Sequence, residues 1–300
     1  MVVVFSVVVQ IARYICCGQY SIRMPVNFDP VAHDLVPDRT YPAALTHVTF
    51  ESKGNRLIGV MFQAQGKGPH PAIVLLHGFP GYERNLDLAH IFRRAGWNVL
   101  VFHYRGAWSS QGRFSFTHVL EDVGEALTFL RTDDSCELYR SDPHRIVVVG
   151  HSLGGFAALM TAASDPCVGS AASIAGVNIG YFAQSIRGNA SAVEEAVRFF
   201  EESLLPLRGT SSKELLHEAF ANAESWNLLN YVDLLSECSL LLIGGSRDQT
   251  APVSMHHHPL VNALGTSKNL TDIVLDADHS FSDKRVTLAR TLLLWLEQHK

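Results

Sequence analysis

The chain has 300 residues, 47 % of them apolar and 18 % charged, with a formal net charge of −5. Such a chain is globular and long enough for a large core, which excludes a disordered class. It lacks the basic excess that gripping a phosphate backbone requires, so no nucleic-acid partner is expected.

Five cysteines, Cys16, Cys17, Cys136, Cys167 and Cys238, are odd in number and irregular in spacing. They suggest neither a disulfide framework nor a thiolate metal site. Residues 1–44 read as an N-terminal extension. Met1–Val9 is an apolar run that Gln10 and Arg13 interrupt. A secretory signal carries its positive charge ahead of the apolar stretch, whereas here the charge follows. The run is also too short to span a bilayer. Three readings stand: an atypical signal or anchor, a flexible extension, or translated upstream sequence with Met24 as the natural start. The last two are preferred, giving the expectation of a cytoplasmic protein with no stable membrane span.

From His47 the pattern turns to alternating strands and helices. His47–Ser52 and Arg56–Ala64 flank the turn sequence Lys53-Gly54-Asn55 and read as a hairpin. Pro71–His77, Trp97–Tyr104, Arg145–Gly150, Ser170–Ala175, Ser239–Gly244 and Thr271–Leu275 are short apolar runs, the form of strands buried on both faces. Val119, Val123, Leu127 and Leu130 make one helical face, and Leu288, Leu292, Trp295 and Leu296 another. This alternation predicts an α/β fold: a mostly parallel sheet of about eight strands with helices on both faces. About sixty residues separate the strand ending near Gly176 from the one beginning at Ser239. That surplus reads as a helical cap over residues 181–236, inserted between core segments 45–180 and 237–300; extra helices on the flank are the alternative. Ser191-x-x-Glu194 and Ser211-x-x-Glu214 are capping-box patterns within it.

Gly150-His151-Ser152-Leu153-Gly154 follows a buried strand and precedes a helix pattern, FAALMTAA. A G-x-S-x-G between strand and helix forces a sharp turn that exposes the serine hydroxyl at the sheet's C-terminal edge. An ordinary serine in a glycine-rich turn is the bland alternative. A hydroxyl is a weak nucleophile and needs a base, itself oriented by an acid. Asp248 stands just after the strand SLLLIGG, and His279 in the loop after TDIVL; both follow Ser152 in the order this chemistry uses on open α/β sheets. Asp276 and Asp278 are rival acids, poorly placed because they share the loop of His279. A turn-forming Asp and a surface histidine are the competing readings. A developing oxyanion needs two donors. The backbone N–H of Leu153 is one, and that of Phe79, in His77-Gly78-Phe79-Pro80-Gly81, is the other, since Pro80 has no N–H. In the loop after the fourth strand Arg105 would brace loops and Trp108 would line the acyl or alcohol pocket; a purely structural loop is an equal alternative. His256-His257-His258 reads as solvated residues at a helix start, because consecutive helical residues do not share a face. No metal or cofactor is expected.

HGFPG, HYRGAWSSQG, GHSLGG, GGSRDQTAP and DADHSF, in that order, resemble the α/β-hydrolase superfamily, nearest to its esterase, dienelactone-hydrolase-like and prolyl-oligopeptidase-like members, over about residues 45–298. The resemblance implies Ser152, Asp248 and His279 as a triad, with Phe79 and Leu153 as oxyanion donors. Haloalkane dehalogenases and epoxide hydrolases carry Asp in place of Ser152, and dienelactone hydrolases proper carry Cys. HGFPG stands where hormone-sensitive-lipase-like esterases have HGGG. Prolyl-oligopeptidase enzymes place a propeller ahead of the hydrolase domain, where this chain has about 45 residues. The expected activity is hydrolysis of small carboxylic esters of short to medium acyl chain. The alternatives are a small-peptide or amide hydrolase with the same residues, and a catalytically silent binding protein on the same scaffold. The sequence leaves the oligomeric state open.

Overall fold

A computed structural model describes residues 28–300. The run Met1–Val9, Cys16, Cys17 and Met24 lie outside the described residues. Each apolar run forms a strand close to its expected span: β1 Ala44–Ser52, β2 Asn55–Gln63, β3 His70–Leu76, β4 Asn98–His103, β5 Ser141–His151, β6 Ser170–Ile174, β7 Ser239–Gly245 and β8 Leu270–Leu275. They make one sheet in the order β1-β2-β4-β3-β5-β6-β7-β8. β2 pairs antiparallel with β1 and β4, and every later pairing is parallel.

Alternation along the strands divides the core in two. Ala72, Val74 and Leu76 join one cluster with Val119, Val123, Leu127 and Leu130 of α2 (Phe116–Leu130) and Phe156 of α4 (Leu153–Ser164). Ile73 and Leu75 join the other, with Leu88 and Phe92 of α1 (Leu86–Arg94) and Leu288, Leu292, Trp295 and Leu296 of α11 (Arg285–Leu296). Both helical faces expected from spacing are therefore buried, on opposite sides of the sheet. β3 and β5 are neighbours whose following helices, α1 and α4, lie on opposite faces. Their C-terminal ends form the switch-point crevice where open α/β sheets bind ligands.

The remaining helices are α3 (Asp133–Tyr139), α5 (Ile179–Ile186), α6 (Ala190–Glu202), α7 (Ser212–Ala221), α8 (Val232–Ser236), α9 (Val253–His256) and α10 (His258–Leu264). Four of these, α5–α8, occupy the long β6–β7 connection. Ser211 caps α7 as its capping box predicts, its side chain accepting from Glu214 N–H. The Ser191 box does not start a helix: α6 begins two residues earlier, because Asn189 accepts from Ala192 N–H and takes the cap. The connection is joined to the core through an antiparallel bridge between Ala107 and Leu207. Among the described residues no helix is long and apolar enough to cross a membrane, and Cys136, Cys167 and Cys238 are free thiols.

Candidate active site

Ser152 links β5 to α4 with φ 56° and ψ −117°. A non-glycine residue held there costs about 1–3 kcal/mol and persists only where its surroundings force it. They do so here. A Cβ on Gly150 would lie 1.9 Å from the Gly154 carbonyl oxygen, so only glycine lets the strand enter the turn. Gly78, on the loop after β3, approaches from the other side: a Cβ there would lie 2.8 Å from Ser152 Cβ. Leu153 is the first residue of α4, so its N–H has no partner inside the helix. Neither this N–H nor that of Phe79 donates to a protein acceptor among the described residues.

Asp248 follows β7 and His279 follows β8, and the structure brings their side chains together: His279 Nδ1 lies 2.7 Å from Asp248 Oδ2. Oδ1 of the same carboxylate accepts the N–H groups of Thr250 and Ala251, each at 2.8 Å. One oxygen of Asp248 thus closes the turn and the other meets the imidazole. Burial pushes this carboxyl upward, but the hydrogen bond and charge of His279 and the two N–H donors outweigh it and hold it below the usual carboxylate range. The rival acids are engaged elsewhere. Asp276 pairs with Arg247 at 2.8 Å, and Asp278 accepts from Ser282 N–H at 2.8 Å. Ser152 Oγ and His279 Nε2 are not hydrogen-bonded to each other among the described residues, and such contacts characteristically tighten only with substrate bound.

The loop after β3 is held by histidines. His77 Nδ1–H donates to the Gly78 carbonyl at 2.8 Å, and His103 Nδ1 lies 3.4 Å from His77 Nε2. Burial first, then the charge of His103, pushes His77 down to about 3; burial and Arg84 push His103 to about 4. The ring of Phe79 packs against those of Phe114, Phe116 and Phe200, the last from α6, at centroid distances of 5.5–6.0 Å. Arg105 does brace the loop after β4: it is buried and its Nε donates to Asp122 Oδ1 of α2 at 2.6 Å. Trp108 Nε1 donates to the Pro80 carbonyl at 3.1 Å.

The histidine triplet requires correction. His258 is exposed, but His256 and His257 are buried. α9 is a single turn against the sheet edge, which presses two of the three rings inward. His256 Nδ1 accepts the Asn178 N–H at 3.0 Å, and His257 Nε2 meets Asp272 at 2.6 Å. The rings serve separate partners and do not converge. Sequence reasoning also passed over His151 and Arg285. Arg285 donates to the Ser280 carbonyl at 3.0 Å and to Asn85 Oδ1 at 2.9 Å, tying the His279 loop to the start of α1. An open cavity of about 330 Å³ lies between the start of α2 and α7, lined by Arg113, His118, Glu214 and Glu218 among others. None of Ser152, Asp248, His279, Phe79 or Leu153 lines it.

A family model described as "Alpha/beta hydrolase family" matches residues 73–291. Among curated proteins, the chain is 32 % identical over 130 residues to the quorum-quenching protein AidA of Acinetobacter baumannii, and the match covers 41 % of each chain. It is 36 % identical over 118 residues to the thiohydrolase apmlB of Arthrinium phaeospermum, covering 37 % of this chain and 36 % of that one. The match therefore spans under half the length of either relative. A longer match, 26 % over 274 residues, covers 87 % of this chain and 83 % of the uncharacterized protein YfhR of Escherichia coli. Among solved structures, the Pyrococcus furiosus esterase Pf2001 superposes with TM-score 0.60 at 18 % identity, over 87 % of this chain and 93 % of that one. The Pyrococcus horikoshii acylaminoacyl peptidase gives 0.61 at 17 %, over 85 % of this chain and 41 % of that one. These two likenesses concern the fold alone.

Proposed function

The chain belongs to the alpha/beta hydrolase family, and from that premise we propose that it is a serine hydrolase cleaving small carboxylic esters through an acyl-enzyme on Ser152. The observation that carries this reading is the 2.7 Å pair of Asp248 and His279, on loops that follow β7 and β8, in a fold whose turn after β5 holds Ser152 at positive φ. Asp248 accepts the Nδ1 proton and leaves Nε2 of His279 as the basic nitrogen. Nε2 takes the hydroxyl proton as Ser152 Oγ attacks the ester carbonyl. The oxyanion draws on the N–H groups of Leu153 and Phe79, two donors with no competing protein acceptor among the described residues. His279 then returns the proton to the leaving alcohol. Water, deprotonated by the same Nε2, releases the acid and restores the serine. In this scheme α5–α8 act as a cap, with Phe79 and Phe200 bounding a short acyl slot.

Esters are preferred over peptides because recognition of a peptide terminus calls for a charged cluster in the cap. Glu194, Glu195 and Glu202 lie exposed along α6, and the Glu201 carboxylate is taken by Ser212 Oγ at 2.6 Å. Thioesters belong in the test panel, since one relative is a thiohydrolase. The experiment is a set of initial rates on p-nitrophenyl esters from acetyl to palmitoyl, beside acyl thioesters and amino-acid p-nitroanilides. A fluorophosphonate label followed by peptide mapping accompanies it. The reading expects labelling at Ser152 and kcat/KM that rises over short acyl chains and then falls. Turnover confined to the anilides would replace the esterase with a peptidase, and absence of both turnover and label would remove the serine hydrolase.

A further inference from the structure

We propose that His151, the residue before the serine, is a positioning residue that clamps the His279 loop through a hydrogen bond to the backbone carbonyl of His279. The proposal rests on the serine-hydrolase reading of Ser152 and His279. The distance from His151 Nε2 to the His279 oxygen is 2.8 Å. A carbonyl only accepts, so Nε2 carries the proton and Nδ1 is left as a bare lone pair. The ring is 3 % exposed and its centroid lies 4.7 Å from that of His279.

Two features separate this histidine from an ordinary core residue. Nδ1 is buried with no hydrogen-bond partner among the described residues, and an unpaired buried acceptor works against stability. An apolar side chain there would avoid that penalty, so what the imidazole contributes is its Nε2–H. The ring is also uncharged: burial first, then the neighbouring His279, pushes it down to about 3. A neutral donor holds the loop without opposing the positive charge that His279 acquires when it takes the serine proton.

The clamp completes a two-point hold. Asp248 sets the direction of the His279 ring through Nδ1, but a ring held at one atom still moves with its backbone. His151 holds that backbone, Arg285 holds the next carbonyl, and His151 is covalently joined to Ser152. The separation between serine and base is thereby set through one residue of the same turn. Placement errors of about 1 Å in such pairs can cost on the order of 100-fold in rate.

The test uses the full chain as wild type, His151→Leu and His151→Gln; the Gln amide nitrogen can stand where Nε2 stands. Hydrolysis of p-nitrophenyl butyrate, the rate of fluorophosphonate labelling and the low-field proton signal of the His279–Asp248 hydrogen bond are measured. His151→Leu is expected to lower kcat and the labelling rate together, roughly 10- to 100-fold, with KM within about twofold, Tm maintained, and the low-field proton broadened. His151→Gln is expected to recover most of the rate and a sharp low-field proton. Should the Leu variant not fold, His151→Phe keeps a ring and removes the N–H. A wild-type rate and a sharp proton in the Leu or Phe variant would overturn the clamp. So would equal losses in Gln and Leu with the proton unchanged, the mark of a packing residue. If the wild type neither turns over ester nor takes the label, the serine-hydrolase reading fails, and the proton comparison still decides the clamp.

Discussion

Glu218, on α7, caps the N-terminus of α2: its carboxylate accepts the N–H groups of Phe116 and Thr117, both at 2.9 Å. A carboxylate at that helix end satisfies orphan donors and complements the helix dipole. The bond also fastens the β6–β7 segment to the core. Three backbone bonds add to it: Trp108 N–H to Pro206, Phe114 N–H to Arg208 and Arg208 N–H to Gly106, at 2.8–2.9 Å. Glu218→Ala should lower stability by about 1–2 kcal/mol in urea unfolding. A segment stitched in this way should not swing open at a lipid surface, so activity on a short-chain ester should rise smoothly through its solubility limit. A sharp jump at that limit would mean the segment is a mobile lid.

Asp248 offers the sharpest test of the catalytic assignment, because its rivals are near in sequence and committed elsewhere in space. Asp248→Asn should lower kcat by about 10⁴-fold, since an amide favours the wrong tautomer of His279. Ser152→Ala and His279→Ala should each cost as much or more, and a double variant little beyond either, because such residues act as a unit. Asp276→Asn and Asp278→Asn should stay within a few-fold of wild type. A larger loss in either of these than in Asp248→Asn would reassign the acid.

Much of this was legible in the sequence because it depends on local rules. β3 to β8 fall within a few residues of the apolar runs that predicted them, but burial on both faces holds only for the inner strands: β8 is the edge of the sheet and none of its residues is fully buried, because it has a neighbour on one side only. G-x-S-x-G is equally local, since its two glycines, four residues apart, set the turn by their own close approach. His256 and His257 were misjudged because their burial depends on where a one-turn helix meets a distant strand; Asp272 is 15 residues beyond His257, and Asn178 is 78 residues before His256. His151 was passed over for the same reason, its partner lying 128 residues away. The start of α6 was displaced because two residues competed for one cap, and Asn189 is as good a cap as serine.

Gly78 carries a requirement of space rather than of backbone conformation. A methyl group there would stand 2.8 Å from Ser152 Cβ and 3.3 Å from the His151 carbonyl oxygen. Real Cβ atoms do not approach so closely, and Ser152 is already held at strained angles, so the loop bearing Phe79 has to retreat. Gly78→Ala should therefore lower kcat by roughly 100-fold or more, the scale of losing one oxyanion donor, with a smaller change in KM. The same substitution at Gly96, where no heavy atom lies within 4 Å of the added carbon, should leave kcat near wild type while its positive φ costs some stability. Equal kinetics for both variants would detach the Phe79 loop from the reaction.

Four histidines around the crevice bind their ring protons more weakly in the fold than in the unfolded chain. His77 and His151 are pushed down to about 3, and His103 and His256 to about 4, with burial the largest cause in each. Unfolded histidine titrates near 6.5. Above that value both states are neutral at these sites and the fold keeps its full stability. Between about 6.5 and 4 the unfolded chain takes up protons that the folded one refuses, so stability falls as the pH falls. His70, His257 and His299 shift in the same direction and steepen the fall. Asp248, held low, acts in a separate window: its contribution is lost only as the pH drops below the ordinary carboxylate value of 3.8. Near pH 5 the four histidines alone should give an uptake of about three to four protons on unfolding. Urea unfolding free energies measured at closely spaced pH values give the total uptake as a slope, to which these four contribute that number. His151→Leu should reduce it by about one, because it removes one refusing site. A free energy that is flat between pH 6.5 and 4 would mean that these rings are charged in the fold and that the neutral-donor account of His77 and His151 is wrong.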